Sequence, residues 1–326
     1  MGEFQSLSPD GMLLLQAAGN RVCLQAVDGP DVDCLHWRED DARARLAAAW
    51  SPNSAAVAFY DRITQATTFM SPVYRLSVEL GTVSEVIEGD DTFPIDLALS
   101  IDTLAFLGRL AGQQEFGVSL LPRSGGMELL AELPGGLIEW LPDDSALLFT
   151  GTGTDAPGLW RVDAIDGSRR LIASFDAALG HPLLAGISNN GKWALIVYTN
   201  ALTLEAPAGV SHYGLVELET GEVTPLKASS EQNFFGPVAA AFSPESPAIA
   251  YAYHSGTDRD APLTLVTRSL RGGKEDVVGA DLESDIGAAP SQHFLIFDPN
   301  LTPVWRSDGF LVLPTAGWAL IVDLFA

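Results

Sequence analysis

One short unit, an apolar strand, a polar turn and a second apolar strand, is written seven times in this chain, and that repetition limits its fold more than any other feature. The fullest copy is "AAAWSPNSAAVAFYDR" at 47–62. The others are "SLSPDGMLLL" from Ser6, "LALSIDTLAFL" from Leu97, "IEWLPDDSALLFT" from Ile138, "AGISNNGKWALIVY" from Ala185, "AAFSPESPAIAYAY" from Ala240 and "PVWRSDGFLVL" from Pro303. The apolar residue just ahead of each turn falls at Leu7, Trp50, Leu99, Trp140, Ile187, Phe242 and Trp305, spacings of 43, 49, 41, 47, 55 and 63 residues. Ser or Asp caps the turn, Pro presets its φ, and Asn, Asp or Gly tolerates the tight return.

A second hairpin follows the first. Strands such as "RVCLQAVDG", "YRLSVELG", "LWRVDAIDG", "YGLVELETG" and "LTLVTRSLRGG" close at Gly29, Gly81, Gly167, Gly221 and Gly272, and a short outer strand such as "EVTPL" at 222–226 comes next. Two hairpins make one four-stranded antiparallel blade. The expected fold is therefore all-β, a seven-bladed β-propeller forming a single domain over 1–326, with blades at about 4–35, 46–88, 94–132, 136–174, 182–227, 238–279 and 302–326. A β-sandwich of many hairpins is the competing architecture, but a ring hides the sheet edges that such an array would expose. The last blade stops at its third strand, "WALIVDLFA", so it is either incomplete or covered by another segment, for which "HFLIF" at 293–297 is a candidate. The opening "MGEF" has the character of a cloning remnant ahead of a fragment that begins within a longer protein, and it carries no targeting signal.

The turn motifs "WSPNS" at 50, "LSPDG" at 7, "FSPES" at 242 and "WRSDG" at 305 give the chain its likeness to known proteins. It resembles the TolB-like, WD40-like (PD40) β-propeller repeat family, whose repeats carry W-S-P-D-G after the innermost strand, with the copies at Leu99 and Ile187 degenerate. The resemblance implies the propeller and leaves the activity open, because that family includes periplasmic partner-binding proteins, peptidase gating domains and polysaccharide lyases.

Charge narrows the partners. Acidic residues number 42 against 18 basic ones, a net charge of −24, and only Lys192, Lys227 and Lys274 are lysines. Such a surface offers little to phosphates, which argues against nucleic acid and anionic lipid and favours a basic protein partner or a divalent cation. The longest apolar stretch, "FLVLPTAGWALIVDLFA" at 310–326, is broken by Pro314, Gly317 and Asp323, so no membrane insertion is expected.

The chemistry-bearing residues collect on one face. In a propeller the second-to-third and blade-to-blade connections share an end, and here that end holds the insertions 35–46, 60–73, 199–213, 227–237, 254–262 and 280–302, together with all five histidines, His36, His181, His212, His254 and His293. Loops collect polar residues on any fold, so the histidines alone do not make a site. There is no H-x-H, H-x-x-x-H or H-E-x-x-H, no G-x-S-x-G, and Asp258 with Asp260 lacks the register of a calcium loop. No cofactor, metal or catalytic residue is assigned. The aromatic and arginine residues suited to a protein interface are Trp37, Tyr60, Arg62, Phe234, Phe235 and Arg259, with His212 and His254 beside them. Several of the loop aromatics are expected to pack between blades, and collapse of the fold on substitution would assign Phe234 and Phe235 to that core.

Cys23 and Cys34 flank the "DGPD" turn, and a turn centred on Asp28 and Gly29 sets them opposite each other on adjacent strands. They form either a disulfide, which tilts localisation towards an extracytoplasmic compartment, or two buried thiols. The expected function is a non-catalytic binding or scaffold module acting through its loop-rich face. The alternative is an enzyme, a metal-dependent lyase or a hydrolase, with its site on that same face.

Overall fold

The computed structural model describes residues 3–29, 32–38, 46–62, 70–89, 92–110, 113, 115–133, 136–151, 157–176, 181–199, 211–226, 239–254, 263–279, 303–314 and 319–324. These form seven antiparallel sheets over 3–36, 46–87, 93–132, 138–174, 181–225, 239–279 and 304–323. Within each, strands pair in chain order; sheets one to six have four strands and sheet seven has three. This is the blade architecture of a β-propeller, with the last blade one strand short among the described residues. The segment "HFLIF" lies outside them. The chain divides into two compact units at Leu171, within the outer strand Arg169–Ser174 of sheet four; the first carries sheets one to three and most of sheet four, the second carries sheets five to seven. Among the described residues no helix is long and apolar enough to cross a membrane.

The repeated turn closes through its serine. Ser51 is buried at the start of its turn, and its hydroxyl oxygen accepts the N–H of Ala56, 2.9 Å away, across the hairpin. Ser8 does the same for Leu13 at 2.9 Å and Ser188 for Trp193 at 3.0 Å. The serine hydroxyl in turn donates to the Asp or Asn two positions on, Ser8 to Asp10 at 2.6 Å and Ser51 to Asn53 at 2.8 Å. The residue after that must turn left-handed: Gly11, Gly191 and Gly309 have φ of 70°, 64° and 92°, and Ser54 and Asp144 adopt 56° at the equivalent place. Glycine does this without a Cβ penalty, which is why the motif prefers it.

Packing follows from the two-residue period of a strand. The second strand of sheet two, Ala56–Asp61, is buried along its whole length. Val57 and Phe59 pack with Leu15, Val22 and Leu76 in a core shared with sheet one, whereas Ala56, Ala58 and Tyr60 pack with Leu97, Leu104 and Phe106 of sheet three. In sheet three the alternation repeats: Leu104 and Phe106 face sheet two, and Ala105 and Leu107 join Ile138, Trp140, Leu147 and Phe149 of sheet four. A strand covered on both faces needs a continuous apolar run, and "AVAFY", "TLAFL" and "ALLFT" are such runs. The turn-end tryptophans tie neighbouring sheets: Trp50 Nε1–H donates to Ser6 Oγ at 3.1 Å, and Trp140 Nε1–H to the Ala98 carbonyl at 3.2 Å. In the second unit, Leu195, Val197 and Leu215 of sheet five pack with Ile249, Tyr251 and Val266 of sheet six.

Candidate functional site

The best-defined cluster of polar chemistry lies in the first unit, where the first strands of sheets three and four begin. The first strand of sheet three, Phe93–Leu99, shifts register against its neighbour between Leu107 and Gly108, which leaves Ile95 as an extra residue in a β-bulge. A bulge frees backbone groups from the ladder and re-aims the side chains beside it. The freed Ile95 carbonyl accepts the Tyr60 hydroxyl at 2.7 Å, and the next residue, Asp96, accepts the N–H of Ile138 on its Oδ2 at 2.7 Å. That second bond crosses from sheet three to sheet four and meets a strand-end amide. Glu139 follows Ile138 directly.

Asp96 and Glu139 retain some solvent contact, yet protein atoms surround both carboxyl groups on most sides, and that crowding governs the cost of charging them. Burial pushes Asp96 up to about 7, against the opposing pull of the Ile138 and Leu97 amides and of Arg62. Burial, reinforced by the charge on Asp96, pushes Glu139 up to about 8. The two titrate as a coupled pair near neutrality. Tyr60 is held up to about 12 by burial and by Asp96, with Arg62 opposing, so it remains a hydrogen-bond donor. Among the described residues the Glu139 carboxylate has no hydrogen-bond partner. Tyr60, Arg62, Asp96 and Glu139 thus form one enclosed group that changes charge close to pH 7.

Of the residues proposed from sequence, Tyr60 and Arg62 belong to this group, although Tyr60 is only 2% exposed and contributes its hydroxyl inward. Trp37 sits in the core on the other face of the same strand, 8% exposed, with its ring edge-on to Phe59 and Tyr74 and the Arg38 guanidinium 4.7 Å from its centre. Trp37 is thus one of the loop aromatics that pack between sheets. Arg38 in turn pairs with buried Asp61 at 2.6 Å. The strand register sets His212 opposite Tyr198 in sheet five, and His254 opposite Leu263 at the end of the second strand of sheet six. Phe234, Phe235 and Arg259 lie outside the described residues. Among the described residues no three His, Cys, Asp or Glu side chains converge as metal ligands. Cys23 and Cys34 pair in the register set by their turn and are joined by a disulfide.

Asp96 and Glu139 were not picked out from the sequence, but the repeat carried a signal. Glu139 stands one residue ahead of the turn-marking tryptophan, where the other units have Ser6, Ala49, Ala98, Gly186, Ala241 and Val304. An ionisable residue in an otherwise small or apolar register is costly unless it has a task or a partner.

No protein-family model and no curated protein matches the chain. Among solved structures it is similar to TolB from Acinetobacter baumannii, at 16% identity and a TM-score of 0.52 over 84% of this chain and 62% of that one, so it spans less than two thirds of that TolB. It is also similar to oligogalacturonate lyase in complex with manganese, at 12% identity and a TM-score of 0.60 over 98% of this chain and 87% of that one. A third likeness is to a chain of a nidogen/laminin complex, at 16% identity and a TM-score of 0.50 over 81% and 92% of the two chains. At these identities the likeness establishes a TolB-like β-propeller fold. The fold serves both an enzyme and a member of a protein complex, so function has to be argued from the site.

Proposed function

We propose that the chain is a non-catalytic binding module that receives a basic side chain of a protein partner at the Tyr60, Arg62, Asp96 and Glu139 cluster on its loop-rich face. The observation that carries this reading is the pair of enclosed carboxyls, Asp96 and Glu139, raised to about 7 and about 8 by burial. An incoming ammonium or guanidinium favours their charged forms and replaces lost hydration with a charge-assisted hydrogen bond. Binding therefore releases protons, and the net charge of −24 speeds the approach of a basic partner at low salt. His212, Phe234, Phe235, His254 and Arg259, chosen from the sequence alone, are proposed as further residues able to contact a protein partner. The Cys23–Cys34 disulfide supports an oxidising, extracytoplasmic setting.

The test is calorimetric titration with a tri-arginine peptide at pH 6 and pH 8.5. Affinity should rise roughly tenfold with pH, since each unit by which binding lowers a pKa is worth a factor of ten, with proton release visible as a buffer-dependent enthalpy. The double variant Asp96→Asn, Glu139→Gln should bind weakly at both pH values. Affinity that is flat with pH in the unaltered protein removes the reading.

A second reading rests on the same pair, since two carboxyls poised near neutrality beside a tyrosine have the character of a general acid and base. Turnover of a polysaccharide that is lost in Glu139→Gln and follows a bell-shaped pH profile with limbs near 7 and 8 favours that reading over simple binding.

A further inference from the structure

At the hairpin end of the first unit, remote from Asp96, sheets two and three part to form a cleft of about 500 Å³. Arg75 from the third strand of sheet two and Arg123 from the hairpin of sheet three both line it. In a chain with 42 acidic and 18 basic residues, arginines readily find carboxylates, as Arg38 does with Asp61 and Arg268 with Glu275 at 3.5 Å. Arg75 and Arg123 do not. Among the described residues neither guanidinium makes a hydrogen bond or an ion pair. Arg75 is instead held below the usual arginine range, chiefly by burial and then by Arg123, with Asp102 in partial opposition. Asp102, which partly offsets the repulsion, and Glu79, which lines the same cleft, form no ion pair with either arginine among the described residues, so both guanidinium groups keep donors open to a ligand.

The rest of the cleft sets the class of ligand. Leu80 and Ile101 are 70% and 52% exposed and lie on its walls, and Ser77 and Thr82 add hydroxyls. Its volume lies within the range of pockets that take small ligands or short peptide segments. None of its lining residues is aromatic, so a nucleobase finds no stacking surface. An inorganic anion uses the arginines and leaves the aliphatic walls in water. We propose that this cleft binds a short acidic and aliphatic peptide segment, whose carboxylates meet Arg75 and Arg123 and whose apolar side chains cover Leu80 and Ile101. It is a second binding site, centred on arginines where the other is centred on carboxyls, and lies at the hairpin end of sheets two and three.

Fluorescence anisotropy with a labelled Glu-Leu-Asp-Leu peptide, acetylated and amidated at its ends, tests the assignment. Arg75→Gln and Arg123→Gln should each weaken binding by about tenfold, as expected for loss of a charge-assisted hydrogen bond, with an unchanged melting temperature. Lys274→Gln, an exposed charge on sheet six, should leave binding of this peptide unchanged. A Gln-Leu-Asn-Leu analogue that binds as well as the acidic peptide overturns the proposal, as does insensitivity to both arginine substitutions. Displacement of the peptide by inorganic phosphate at equal concentration also overturns it, by reassigning the cleft to simple anions.

Discussion

The strand Ala56–Asp61 of sheet two ends in two unlike environments. At its far end Tyr60 donates to the Ile95 carbonyl, and Asp96 is enclosed and fixed to the Ile138 amide, with Glu139 enclosed beside it. At its near end Ala56 borders the cleft that holds Arg75 and Arg123, whose charged heads have no fixed partner among the described residues. One end has built its polar groups into the packing, so changing them should change stability and its pH dependence. The other holds charge in reserve on half-open walls, so changing it should alter binding and little else. Charge sign is the visible difference between the ends; the degree of structural commitment is the deeper one.

The largest effect should come from removing the ring that anchors the committed end. Tyr60→Ala takes a fully packed aromatic from the core shared by sheets two and three and should cost about 4 kcal/mol in a denaturant titration, whereas Tyr60→Phe, which strands only the Ile95 carbonyl, should cost about 1 kcal/mol. Near-equal losses for the two would show that the hydroxyl bond, not the packing, holds the bulge. Next in size is the disulfide of sheet one, within the same unit. Replacing Cys23 and Cys34 by Ala should lower stability by about 3 kcal/mol through the freer unfolded chain, and amide exchange should quicken first between 21 and 36.

The contrast sharpens with pH. Asp96 and Glu139 bind protons more tightly in the folded state than in the unfolded one, so their contribution is fully present below about pH 4 and is lost as pH rises through about 7 and 8. Glu139→Gln removes the charging cost. It should raise stability at pH 8.5 by about 2 kcal/mol, a figure reduced from the full linkage value because the group keeps some solvent contact, and change it little at pH 4. A gain of equal size at both pH values would mean that Glu139 is ionised throughout. Arg75→Gln should produce the smallest change, within about 0.5 kcal/mol at every pH between 4 and 9, because relief of the Arg75–Arg123 repulsion offsets the lost stem packing. A larger destabilisation would place Arg75 among the built-in groups and erase the distinction between the two ends.

The blade pattern was legible because its determinants are local. A hydroxyl that bonds an amide five residues away, a left-handed residue at Gly11 or Ser54, and apolar runs at strand spacing all act within one hairpin, and they place the seven turns before any tertiary contact is known. The register of Cys23 against Cys34 was equally local, being set by one turn. The burial of Trp37 was not legible, because a residue just past a strand end carries no mark of whether a neighbouring sheet will cover it; Phe59 and Tyr74, from the next sheet, do so. Asp96 and Glu139 stand 43 residues apart and Arg75 and Arg123 stand 48 apart, in different sheets within each pair. Nothing in the strand pattern brings either pair together. The order of residues alone specifies the repeating unit, its turns and a negative surface poor in lysine. Only the packing of sheet on sheet decided which charges would meet, because desolvation and Coulomb interaction depend on distances through space that a two-residue period does not encode.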